Sequence, residues 1–239
     1  PVASQKRYKT QSMPGSHGLL QTISNDKNEY WNHFYASRDA LKLSAPSQFA
    51  AFAAQEAGDA HLIIEVGCGT GRDSLFFARH GFDVFAIDGS EAAIAGCEQS
   101  RVAQGLERIS FACCAVGTDA FGQTLIEARG RSGGPALAYA RFFLHAISDE
   151  DELCFFRDMA AALRPGDRLA VEYRTIRDAN GAKVTQPHFR RFVEPAQVVA
   201  NAVRSGFVEE YGVEGYGYAK YLNDDAYVAR AVFRKTATP

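Results

Sequence analysis

The sequence has 239 residues, a length that suits one α/β domain with a substantial core. Hydrophobic residues make up 46% and charged residues 23%, which is ordinary for a globular chain, and the formal net charge is −2. This balance excludes a global attraction to nucleic acid or to an anionic membrane, so a nucleic-acid substrate is disfavoured. No apolar run is long enough to predict a membrane span.

The five cysteines indicate reduced thiols. Cys113 and Cys114 are adjacent, so on a strand they would point to opposite faces. Because no CxxC or Cys/His spacing occurs, we predict no metal site and a cytoplasmic location. The chain begins at Pro1, from which we expect a processed product or part of a longer polypeptide.

The N-terminal quarter divides into an arm and a helical segment. Residues 1–25 are polar and contain Gly, Ser and Pro, so we predict a flexible arm before a domain at 26–239. Tyr30, Phe34 and Tyr35 have the spacing of one helix face, and a second helix is predicted from Pro46 to Ala57. The helical segment 26–58 is either a lid over a binding site or part of the core.

Strands and helices alternate from His61 onward, which predicts a doubly wound, mainly parallel sheet of seven strands. No helix separates the last two strands, so we expect them to form an antiparallel hairpin. The predicted helices are Asp73–His80, Glu91–Gln104, Asp149–Leu163 and Pro195–Arg204. The predicted strands are Leu62–Val66, Val84–Ile87, Ile109–Cys113, Ala136–Ala140, Leu169–Tyr173, Phe207–Tyr211 and Ala226–Phe233.

A glycine-rich turn follows the first predicted strand. Its glycines at 67, 69 and 71 form the pattern GxGxG, and Asp88 ends the next strand about twenty residues later. A turn that binds a dinucleotide pyrophosphate has the form GxGxxG, which would require glycine where Arg72 stands. The pattern therefore resembles motif I of class I S-adenosylmethionine (SAM) dependent methyltransferases. The alternative is a tight turn with no ligand.

The resemblance extends from about residue 30 to residue 234 and includes Leu163–Asp167, which is similar to the family's helix–turn–strand junction. It implies SAM as cofactor and S-adenosylhomocysteine as product, with Asp88 binding the ribose hydroxyls. The cofactor-binding residues that it implies are Glu65, Gly67, Cys68, Gly69, Gly71, Asp88, Gly89, Ala115, Val116 and Arg141.

One position departs from the family pattern. After the third strand the family often carries an acid that binds the adenine amino group, and Ala115 stands at that place here. Two substitutes for this contact are open: backbone groups near Ala115 and Val116, or the side chain of Asp119.

Candidate catalytic and acceptor residues follow the fourth and fifth strands. We predict catalytic roles for His145, as a general base, and for Glu172 and Arg174, although His145 in a purely packing role is the alternative. Arg190 and Arg191 would bind an anionic acceptor, or else lie on a solvated face. Tyr30 and Tyr35 are the further candidates for substrate binding, with core packing as the alternative.

The resemblance implies a methyltransferase that acts on an O or N atom of a small polar acceptor, anionic or sugar-linked. An RNA or protein methyltransferase is one alternative, but the Asn/Asp-Pro-Pro-aromatic tetrapeptide of the amino-methylating nucleic-acid enzymes and an appended basic module are both missing. The other alternative is a SAM-binding partner subunit without catalytic activity.

Overall fold

The fold was analysed in a computed structural model, which describes residues 29–36, 45–179, 190–221 and 224–237. The predicted arm at 1–25 lies outside these ranges, as does most of the polar insertion after the fifth strand. None of the helices in the described ranges combines the length and apolarity that crossing a membrane requires.

Seven strands form one sheet in the order β3-β2-β1-β4-β5-β9-β6, which confirms the predicted doubly wound sheet. The first five strands are parallel, and β9 lies antiparallel between β5 and β6. Two short strands, β7 and β8, form a separate antiparallel pair. The strands are β1 (Leu62–Val66), β2 (Asp83–Asp88), β3 (Ile109–Cys113), β4 (Ala136–Arg141), β5 (Arg168–Arg174), β6 (Phe207–Gly215), β7 (Lys220–Tyr221), β8 (Asp224–Asp225) and β9 (Val228–Lys235).

Helices cover both faces of the sheet. Because side chains alternate along β1, Ile64 packs into the core on one face and Ile63 into the core on the other. The helices are α1 (29–36), α2 (Gln48–Glu56), α3 (Arg72–Arg79), α4 (Glu91–Ala103), α5 (Asp119–Gly130), α6 (Asp149–Ala162) and α7 (Pro195–Arg204).

The α5 helix is absent from the sequence-based prediction. Its buried residues Phe121, Leu125 and Ala128 are spaced four and three residues apart, as on one helix face, but Gly122 and Gly130 dilute the signal. The β7–β8 pair is absent from the prediction too. Elsewhere the strands differ in their boundaries: β6 continues to Gly215, and β9 begins at Val228, two residues later than predicted. The sheet order, and therefore the position of the site, is unaffected.

Candidate functional site

A cavity of about 560 Å³ opens at the carboxyl ends of the central strands. Its walls are the turn after β1, the ends of β2 and β3, the loops after β4 and β5, α1, and the β7–β8 pair. The strand order reverses between β1 and β4, and ligands of open α/β sheets bind at such a reversal. This cavity is therefore the candidate site.

The turn after β1 brings bare backbone to the cavity. Gly67, Gly69 and Gly71 have φ angles of 75°, 54° and 70°, which lie in the left-handed region that glycine tolerates best. A Cβ at Gly69 would lie 2.5 Å from the hydroxyl oxygen of Tyr35, and a Cβ at Gly71 would lie 2.8 Å from Cys97 Sγ. Both the conformation and the close approach therefore require glycine here.

Asp88 lies at the end of β2, directly beside this turn. Its Oδ2 accepts a hydrogen bond from the Gly69 amide at 2.8 Å, and its Oδ1 accepts one from the Ser90 amide at 2.9 Å. Burial raises the pKa of Asp88, while hydrogen bonds from the Gly69, Ser90 and Gly89 amides act in the opposite direction. Each oxygen retains a lone pair for a further donor, such as a sugar hydroxyl.

Asp73, in the first turn of α3, ties three elements together. Its carboxylate accepts hydrogen bonds from the Ser47 amide at 2.8 Å, the Ser47 hydroxyl at 2.7 Å and the Tyr139 hydroxyl at 2.9 Å. Burial would raise the pKa of Asp73, but Arg72, Arg141 and Ser47 outweigh that effect and lower it. An ionised, fully bonded Asp73 therefore holds the start of α2 against β4.

At Glu65 the effect of burial on the pKa prevails, in contrast to Asp73. Glu65 is buried in β1 and accepts a hydrogen bond from the Ser74 hydroxyl. Burial and, next, the nearby Asp73 raise its pKa well above the ordinary 4.5, although Ser74 and Arg72 oppose the shift. The cavity wall thus contains a carboxyl group that favours its protonated form.

The loop after β4 has a strained residue. Phe142 has a φ of 55°, the only positive φ of a non-glycine among the described residues, and such backbone strain often marks a functional site. Its ring centroid lies 4.2 Å from the guanidinium carbon of Arg141 and 5.5 Å from that of Arg174. The strained backbone therefore places an aromatic ring between two cations at the cavity.

Glu172 is buried in β5 between two arginines. Its Oε1 accepts from Arg141 Nε at 2.8 Å, and its Oε2 accepts from Arg230 Nε at 2.7 Å. Its side chain is fully buried and forms no part of the cavity wall. Glu172 therefore fixes Arg141, which does line the cavity.

His145 lies in a short 3₁₀ turn and lines the cavity. Its Nδ1 faces the backbone N–H of Arg174 at 3.1 Å. A backbone N–H can only donate, so Nδ1 accepts and the other ring nitrogen of a neutral imidazole carries the proton. This arrangement presents a donor and does not favour the predicted role as general base.

Arg174 is held by two acids, one four residues later in the chain and one on β8. Its Nη1 donates to Asp178 at 2.7 Å, and its Nη2 donates to Asp224 of β8. Burial and, next, the charge of Arg174 lower the pKa of Arg190, which also lines the cavity. Two guanidinium groups therefore lie close together at this end of the cavity.

Most of the predicted site residues meet at the cavity. Tyr30, Gly71, Glu172 and Arg191 do not form part of its wall, and Arg191 instead forms ion pairs with Asp149 and Glu152. Asp151 and Asp224 also line the cavity, although neither has a sequence signal for a ligand contact. The predicted residues in the wall are Tyr35, Glu65, Gly67, Cys68, Gly69, Asp88, Gly89, Ala115, Val116, Arg141, His145, Arg174 and Arg190.

Two comparisons relate this chain to known proteins. Residues 63–166 match a family described as a methyltransferase domain, and no curated protein matches the sequence. Similar folds occur in Burkholderia thailandensis 1,6-didemethyltoxoflavin-N1-methyltransferase (TM-score 0.63, 19% identity, 96% of this chain and 94% of that chain). They also occur in the Streptomyces caelestis methyltransferase CcbJ (TM-score 0.65, 15% identity, 89% of this chain and 100% of that chain). The [4+2]-cyclase SpnF has a similar fold too (TM-score 0.62, 17% identity, 97% of this chain and 100% of that chain).

The GxGxG turn and Asp88 lie within the matched segment, which also supplies the loops after β3 and β4 to the cavity wall. The strand order and the antiparallel hairpin agree with the fold that these structures share. Residues 63–166 therefore form a methyltransferase domain on the class I fold, and SAM is the cofactor.

Proposed function

We propose that this chain transfers the methyl group of SAM to an O or N atom of a small polar acceptor that carries an acidic group. One observation supports this proposal above others: a single cavity joins the GxGxG turn and Asp88, by way of Arg141, to an end that Arg174 and Arg190 line. Cofactor and acceptor would meet within it, as an in-line displacement requires.

The cofactor end has groups that suit SAM. Asp88 would accept hydrogen bonds from the ribose hydroxyls, and the turn at Gly67 and Gly69 would lie against the methionine portion. When bound, SAM supplies an electrophilic methyl group. Arg141, which Glu172 orients, would bind the SAM carboxylate through its remaining N–H groups.

The acceptor end has cationic side chains but, among the described residues, no group placed as a general base. Arg174 and Arg190 would together hold a carboxylate or phosphate, and an anion between them would offset their repulsion. His145 would donate a hydrogen bond to the acceptor from its second ring nitrogen. Glu172 acts in this proposal as a positioning residue, and α1 with Tyr35 excludes water from above the turn.

Neighbours in fold are compatible with a small acceptor. The Burkholderia enzyme was crystallised with 1,6-didemethyltoxoflavin and S-adenosylhomocysteine, which supports a small-molecule substrate for this fold. SpnF is a cyclase on the same fold, so the fold alone does not fix the reaction.

Calorimetric titration of the purified chain with SAM and with NAD tests the cofactor. We expect SAM to bind at roughly micromolar concentration and NAD not to bind. Asp88→Ala should weaken SAM binding at least about a hundredfold, because the ribose loses a charged acceptor. The matched control is Asp83→Ala at the other end of β2, whose exposed carboxylate pairs only with Arg108 among the described residues. A folded chain that does not bind SAM would overturn the proposal.

Transfer of a labelled methyl group tests the acceptor. Small carboxylic and phosphorylated acceptors should be methylated, and the matching esters or amides should react at least about tenfold more slowly. SAM binding with no transfer to any acceptor would favour the non-catalytic partner subunit. Equal rates for acids and esters would overturn the anion-binding role of the arginines.

A further inference from the structure

The cavity wall beyond Asp88 is more apolar than the end that the arginines line. It is formed by the segment after β3, Phe121 of α5, and Ile147 and Asp151 at the start of α6. Because β2 lies between β1 and β3, the segment after β3 is on the far side of Asp88 from the glycine turn, and Asp151 meets this segment at Gly117. Apart from Asp151, the side chains here are apolar or thiol groups, so the wall suits a flat, weakly polar ring with one donor to satisfy.

The segment after β3 cannot supply an acidic side chain. Its cavity-lining residues are Cys114, Ala115 and Val116, and the carbonyl of Ala115 already accepts from the Thr118 hydroxyl at 2.7 Å. Asp119, the acid considered from the sequence, is exposed and lies outside the wall. A side-chain acceptor for a ligand N–H donor at this place therefore has to come from another element.

Asp151 has the carboxylate of this wall, and its position is fixed from two sides. It completes a capping box with Ser148: the Asp151 amide donates to Ser148 Oγ at 3.1 Å, and Asp151 Oδ2 faces the Ser148 amide at 3.4 Å. A Cβ at Gly117 would lie 2.7 Å from Asp151 Oδ1. Gly117, with a φ of 82°, therefore lets the carboxylate approach the loop after β3.

We propose that Asp151 accepts a hydrogen bond from the 6-amino group of the adenine ring of SAM. The proposal rests on SAM binding in the orientation given above, with its ribose at Asp88. The adenine then lies against the wall beyond Asp88, whose carboxylate belongs to Asp151. In this proposal an acid at the start of α6 makes the adenine contact for which the loop after β3 has no side chain.

The test compares two ligands that differ at the proposed contact. S-Adenosylhomocysteine has an amino group at C6, whereas S-inosylhomocysteine has a carbonyl oxygen there and repels a carboxylate. By calorimetry, the wild type should bind the adenine ligand at least about tenfold more tightly. In Asp151→Asn the amide can donate to the carbonyl oxygen, so this preference should fall at least about tenfold.

Two further variants separate recognition from folding. Glu150→Gln removes one charge from the same helical turn at an exposed position outside the cavity wall, and should leave both affinities unchanged. Asp151→Glu retains an acid at the capping-box position but moves the carboxylate by one methylene, so the preference should also fall there. This variant carries the test if Asp151→Asn fails to fold.

The outcomes distinguish the two proposals. Binding of S-adenosylhomocysteine with an unchanged preference in both Asp151 variants would overturn the adenine contact alone. An equal loss for both ligands would also overturn it, because a general electrostatic effect would then be sufficient. Failure of the folded wild type to bind S-adenosylhomocysteine would overturn the proposed function and this contact with it.

Discussion

The two ends of the cavity are built by different means. At the cofactor end, backbone amides and glycines define the surface, and the key contact between Gly69 and Asp88 joins residues 19 positions apart. At the acceptor end, ion pairs between distant side chains define it: Arg174 reaches Asp224 across 50 positions, and Arg230 reaches Glu172 across 58. One end is a local motif, and the other depends on the whole fold.

This difference has an energetic consequence. Backbone contacts at a tight turn remain available whenever β1 and β2 pair, since they need no side chain from elsewhere. Buried ion pairs are stable only while every partner is present, because an unpaired buried charge is costly. We therefore expect the acceptor end to be sensitive to loss of charge and the cofactor end to be sensitive to added volume.

Loss of the Glu172 carboxylate should give the largest effect. Glu172→Ala leaves Arg141 and the buried Arg230 without their shared partner, so the free energy of unfolding should fall by about 3–5 kcal/mol in urea denaturation. The control is Glu210→Ala, since Glu210 also bridges two arginines, Arg168 and Arg234, but at the surface. That change should cost less than about 1 kcal/mol. Equal losses would show that burial does not distinguish the two ends.

Added volume at the glycine turn should have the next largest effect. In Gly71→Ala the new Cβ would lie 2.8 Å from Cys97 Sγ at a φ of 70°, so a steric clash adds to backbone strain, for a total of about 2–3 kcal/mol by denaturation. Gly81→Ala isolates the strain, because φ is 90° there and nothing lies within 4 Å; about 1 kcal/mol is expected. Adding Cys97→Ala should recover part of the Gly71 loss and none of the Gly81 loss. Identical effects at the two glycines would contradict the close approach.

The same contrast explains what the sequence could predict. The strands and the glycine turn follow from local patterns, so β1 and β3 agree with the prediction at both ends. Asp224 and Arg230 have no local signal, because only the hairpin and the β7–β8 pair bring them to β5. Asp151 likewise has no local signal for a ligand contact, because its place in the cavity wall depends on how α6 meets the loop after β3.

Protonation of Glu65 provides a smaller effect at the cofactor end. Its pKa is raised in the folded state, chiefly by burial, so the folded chain retains a proton that the unfolded chain loses above about pH 4.5. Stability from this group is therefore lost as the pH rises, with a slope of at most about 1.4 kcal/mol per pH unit. Glu65→Gln should flatten the dependence of the unfolding free energy on pH above about pH 4.5. The exposed Glu107→Gln should not, and a slope unchanged in Glu65→Gln would mean that Glu65 ionises in the folded chain.

Substitution of His145 should have the smallest effect, because this residue orients the acceptor in our proposal and does not transfer a proton. The Arg174 amide donates to Nδ1, and the amide oxygen of an asparagine can take over as acceptor. His145→Asn should therefore lower kcat less than about tenfold, whereas loss of a true general base costs about a hundredfold or more. His80→Asn, at the exposed C-cap of α3, serves as the control. Two results together would restore the role of His145 as general base: a loss of kcat above a hundredfold, and a wild-type kcat that falls below about pH 6.5. Proton transfer would then take place at the acceptor end, where the described contacts show only charged groups and a positioned imidazole.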